Sequence, residues 1–142
     1  MPQWIDKLTK QHNMLEARLT ALFLHAEVGA AHSARHEFDA YRAELATHLR
    51  ESEEEIFTNL ASLEERERAL ERVEWKGHAQ DLQRIAFAVD RELASPADSV
   101  LQELLAALRR EMRRHCGHDE RLVRLALRHV PPAASRPETV RR

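Results

Sequence analysis

The sequence predicts an all-α protein, an up-down-up-down four-helix bundle, from three observations. Only three glycines and five prolines interrupt 142 residues rich in Leu, Ala, Glu and Arg, residues that lose little freedom in a helix, whereas Gly and Pro break it. Four stretches of similar length carry apolar residues at steps of three or four, the spacing that turns one helix face inward. Short connections separate them, which favours antiparallel neighbours. The 43% hydrophobic content is enough for a single core at this length.

The first helix is expected at about 3–28, ended by Gly29 and the AAHS after it, with the stripe Ile5, Leu8, His12, Leu15, Leu19, Leu22. The second is expected at about 32–60, with Phe38, Tyr41, Leu45, His48, Ser52 and Ile56 on its stripe. Ser62, with Glu65 three residues on, reads as a capping box in which hydroxyl and carboxylate satisfy each other's free N–H groups. It would open a third helix over about 63–94, striped by Trp75, His78, Leu82, Ile85, Val89 and Leu93. Ser95 before Pro96 reads as an N-cap with proline at the first helical position. The fourth helix then runs to about 129, with Leu101, Leu104, Leu108, Met112, His115, Asp119 and Leu122 facing inward. Pro131 and Pro132 stop it, so the bundle is expected over 1–130 and a polar, proline-rich, disordered tail over 131–142. Trp4, Trp75, Phe23, Phe38, Phe57 and Phe87 are expected in core or inter-helix packing.

Composition excludes several classes of function. The formal charge is −2, with 22 Lys and Arg dispersed among 24 acids, so there is no overall basic field and nucleic acid is not an expected partner. No apolar run approaches the roughly 18 to 20 residues needed to span a bilayer. The start, MPQWIDKLTK, lacks a signal-peptide core. One cysteine, Cys116, builds no disulfide framework, and a direction about 100° from that of its neighbour His115 makes it a small packing residue. A cytoplasmic protein with no membrane partner is expected.

Nine histidines stand out, and each predicted stripe contains one: His12, His48, His78 and His115. In an antiparallel bundle the start of the first and third helices and the end of the second and fourth share one end. Measured from it, the four lie roughly 14 to 22 Å deep at ~1.5 Å per residue. A lone histidine on an apolar face is more often a hydrogen-bonded core residue than a ligand. Four at a common depth read instead as a metal site, because unpaired imidazoles would carry a heavy desolvation cost there. His25, His32, His36 and His129 fall elsewhere and read as solvated, while His118 lies near the site but off the stripe.

A metal pair would also need anionic ligands to bridge its cations. Asp119, four residues after His115, shares its helix face and is the strongest acid candidate. Glu74 and Glu71 precede His78 by four and seven residues; Glu44, Glu51 and Glu55 surround His48. Each glutamate taken singly reads as a solvated residue on a charged helix. Imidazoles with carboxylates nearby favour iron or manganese over a closed structural zinc site.

KQHNML, HLRESEEEIF, WKGHAQDL and RHCGHDERL carry these residues in order, and with them the chain resembles the hemerythrin-like, HHE cation-binding domains from about residue 3 to 130. The resemblance implies a non-heme iron centre, di-iron in such proteins, held by His12, His48, His78, His115 and Asp119, with Glu51, Glu55 and Glu74 as further ligands. It implies dioxygen, nitric oxide or peroxide binding or sensing, or iron handling. A low-specificity oxidase- or peroxidase-like enzyme is the alternative. The sequence departs from the family at Ser52, where the resemblance implies a bridging glutamate, and in a helix 3 that has one histidine instead of the HxxxH pair of oxygen carriers. Three arrangements stay open: a mononuclear site; a di-iron site completed by Glu44, Glu51, Glu55 or Glu74; or one bridged by water or hydroxide. A di-metal site with altered ligation is the expectation.

Overall fold

Four helices account for nearly all of the computed structural model, which describes residues 2–94 and 98–128. They are α1 (Gln3–Glu27), α2 (Ala31–Asn59), α3 (Glu65–Ala94) and α4 (Asp98–Arg128). No strand occurs among the described residues. None of the described helices is long and apolar enough to cross a membrane. The expected cap at Ser95 and Pro96, the solvated His129 and the tail lie outside the described residues.

Side-chain pairs fix the direction of each helix against its neighbours. Along α1 and α2, Lys7 meets Glu55, Gln11 meets Glu51 and Arg18 meets Glu37, an antiparallel order. Glu53 with Arg72 and Arg42 with Asp90 set α2 against α3 in the same sense. Glu71 with Arg121 and Glu74 with His118 do so for α3 and α4. His12 with Asp119 and Glu16 with Arg109 close the ring between α1 and α4. The bundle is therefore up-down-up-down, and its core follows the predicted stripes: Leu15, Leu19, Phe38, Ile56, Leu82, Leu108 and Leu122 are all buried.

Element ends show where local chemistry acts. Gly29 has a φ of 73°, the left-handed conformation that glycine adopts without a Cβ clash. Its N–H bonds to the Ala26 carbonyl, and the Ala30 N–H reaches back to that of His25. Together the two bonds satisfy carbonyls that α1 would otherwise leave free, the pattern of a Schellman motif. The start of α3 differs from the expectation. Ser62 lies exposed in the turn, and the helix begins at Glu65 with Glu64 accepting the first bond from the Arg68 N–H.

The buried face of α3 also differs from the predicted stripe. It runs through Trp75, Ala79, Leu82, Ala86 and Val89. On a helix His78 then falls about 60° to one side of Trp75, at the edge of the apolar face, and it is half-buried. Phe87, expected in packing, is 55% exposed because it lies about 120° round the helix from Trp75.

Candidate metal centre

Asp119 organises the buried level of the bundle. Its side chain is fully buried, and its two oxygens have different partners. Oδ1 accepts a hydrogen bond from the Trp75 indole N–H at 2.7 Å. Oδ2 faces three imidazoles: His12 Nε2 at 2.8 Å, His48 Nε2 at 3.2 Å and His115 Nε2 at 3.3 Å. These rings come from α1, α2 and α4, and Trp75 from α3. His48 and His115 are fully buried, and the His12 side chain is 11% exposed.

Hydrogen bonding sets the tautomer of His48. The Glu51 carboxylate can only accept, so the Gln11 amide nitrogen donates to it at 2.9 Å. The Gln11 oxygen is thereby turned to His48, whose Nδ1–H donates to it at 2.8 Å. Burial holds the His48 pKa below the ordinary 6.5, outweighing the opposite pull of Asp119, so the ring is neutral at pH 7. Its Nε2 lone pair is left facing a carboxylate oxygen. Two acceptors in contact repel unless a cation lies between them.

His115 adds a second observation of the same kind. Neither of its ring nitrogens has a hydrogen-bond partner although both are buried, and such groups ordinarily find one. Around Asp119 itself, burial opposes ionisation, yet the neighbouring His115 and His12 rings hold the carboxyl well below its usual range. The result is one anionic oxygen with three imidazole nitrogens converging on it. That donor set, and the orphaned nitrogens in it, fit a divalent transition-metal ion.

The other sequence-predicted ligands lie elsewhere. His78 turns towards His118, with ring centroids 5.0 Å apart, and Glu74 Oε2 is 4.0 Å from His78 Nε2 and 3.8 Å from His118 Nε2. Burial, then the neighbouring His118, keep the His78 pKa below 6.5. Glu51 and Glu55 form ion pairs with Lys7 at 3.0 and 3.4 Å, and Glu44 pairs with Arg18 at 3.0 Å. Glu71 is held by Arg121 at 2.8 Å. Ser52, at the position of the implied bridge, is buried and donates its hydroxyl proton to the His48 carbonyl of its own helix.

Three residues matter more than sequence reasoning indicated. Trp75 is an expected core residue that also anchors Asp119; a buried indole N–H needs an acceptor, which is the signal that points to it. Gln11 orients His48 from 37 positions away in the chain, a contact that no local pattern reveals. His118 is buried, 5% exposed. Cys116 is half-buried, and burial pushes its thiol up to about 12. Comparison of the chain with protein-family models, curated proteins and solved structures finds no match.

Proposed function

We propose that the protein binds one iron ion per chain in the buried centre and uses it to bind or sense a small ligand such as dioxygen, nitric oxide or peroxide. His12, His48, His115 and Asp119 would hold the metal. The observation that carries this reading is the convergence of three imidazole Nε2 atoms within 3.3 Å of one buried carboxylate oxygen. Iron as the ion, and the oxygen-related ligands, rest on the resemblance to hemerythrin-like domains. A bound iron would supply one-electron chemistry and, with four protein ligands, open coordination positions.

Two observations support one metal over a bridged pair. A carboxylate that bridges two ions through both oxygens aims each oxygen at a metal, and Asp119 Oδ1 is aimed at the Trp75 N–H instead. The position of the second bridge belongs to Ser52, which is turned back onto its own helix. The chain's own residues do the rest of the work. Gln11 keeps His48 Nε2 available as a donor to the metal, Trp75 orients Asp119, and the surrounding core excludes bulk water.

A half-open surface groove of about 300 Å³ between α1 and α2, lined by Gln11, Met14, Leu15, Ala43, Glu44 and Thr47, includes the residue that holds His48. Its largely apolar wall suits a small uncharged ligand better than a charged one. Nitric oxide added to anaerobic, iron-loaded protein is expected to change the visible spectrum, and His48→Ala to abolish that change. An unaltered wild-type spectrum despite bound iron would remove the ligand-binding part of the proposal.

A further inference from the structure

We propose a second metal site on the α3–α4 face, formed by Glu74, His78 and His118, that takes a zinc-class divalent cation independently of the buried centre. Glu74 and His78 are four residues apart on α3 and so share a face. His118 reaches them from α4, where the antiparallel register sets it at the same level. One ligand atom from each of the three lies within 4.8 Å of the others. Zinc bonds of about 2.0–2.2 Å bring tetrahedral ligand atoms to roughly 3.3–3.6 Å from one another. With Glu74 Oε2 at 3.8 Å from His118 Nε2 and 4.0 Å from His78 Nε2, and no pair of ligand atoms beyond 4.8 Å, side-chain adjustment of about an ångström closes the set.

Burial separates this group from an ordinary surface ion cluster. The His118 side chain is 3% exposed and that of His78 14%. Both Nδ1 atoms are buried without a hydrogen-bond partner, and the contact a cation must displace on the other side of His118 is the long one of its Nε2 with Glu71 Oε1, at 3.4 Å. Glu74 is 54% exposed and gives a cation access from solvent. Arg121 lies 3.8 Å from Glu74 but is bound more closely to Glu71, at 2.8 Å, so a cation can displace it from Glu74 while Glu71 retains it. Two imidazoles and one carboxylate form a three-ligand set with a coordination position left for water, which suits zinc and its late first-row neighbours. No ligand is shared with His12, His48, His115 or Asp119.

Titration of metal-stripped, full-length protein with Zn²⁺ alone tests the site, with the imidazoles followed by ¹⁵N resonances of labelled histidine. The ring signals of His78 and His118 are expected to shift together. Glu74→Gln should weaken that step by at least the ~10-fold that loss of a supporting partner costs a metal site. His118→Ala should do the same, and His48→Ala should leave the step intact. Because Glu74 is half exposed, Glu74→Gln keeps the test valid if His118→Ala fails to fold. Binding by Glu74→Gln with wild-type affinity, or His78 and His118 signals unmoved at saturating Zn²⁺, would overturn the proposal whatever happens at the buried centre.

Discussion

At the scale of single residues, Asp119 shows how one carboxylate acquires its role from its neighbours. An isolated carboxylate in the core would carry a large desolvation penalty. Here the Trp75 N–H satisfies one oxygen and three imidazoles surround the other. Trp75→Phe keeps most of the packing and removes the donor, leaving Oδ1 buried without a partner. Urea denaturation of the metal-free variant should show a loss of about 1–3 kcal/mol. The histidines give a pH dependence of defined sign. Burial lowers the pKa of His48 and His78 from the ordinary 6.5, so below that pH the unfolded chain binds protons that the folded chain refuses. Metal-free protein should therefore lose stability between about pH 7.5 and about pH 5.5, measured as a falling urea midpoint. Asp119 does not oppose this trend, because its carboxyl is held well below the ordinary 3.8 and stays ionised throughout that window.

At the scale of elements, the turns and the rotation of α3 decide which side chains reach the centre. Gly29 closes α1 in a conformation that costs other residues about 1–2 kcal/mol, and its Cβ position is otherwise open. Gly29→Ala should lower stability by about 1 kcal/mol in thermal unfolding while leaving metal content unchanged. The first two helices were legible within one residue at each end because composition, Gly29 and the apolar period agree. The start of α3 came two residues later than expected, since Ser62 and Glu65 fit a capping box by type and spacing while the turn's own hydrogen bond, Leu63 N–H to the Leu60 carbonyl, delays the helix. His78 exposes the limit of a stripe read by steps of three or four. Both His78 and Ala79 satisfy the period after Trp75, and the smaller residue occupies the close helix contact.

At the scale of the molecule, the bundle was readable because patterning, connection length and helix propensity all point to one architecture. Three of the four stripe histidines meet at one level, together with the aspartate that shares a face with His115. The glutamates were harder to place, because their partners are distant in sequence: Lys7 takes Glu51 and Glu55, and Arg18 takes Glu44. The central claim is that the buried group around Asp119 holds one metal ion. It is tested most directly by iron content after anaerobic loading with ferrous ion and gel filtration, in Glu74→Gln protein so that the outer group does not contribute. One iron per chain is expected, and none after His48→Ala or Asp119→Asn. Protein that retains no iron, or iron retained equally by both of those variants, would contradict the account.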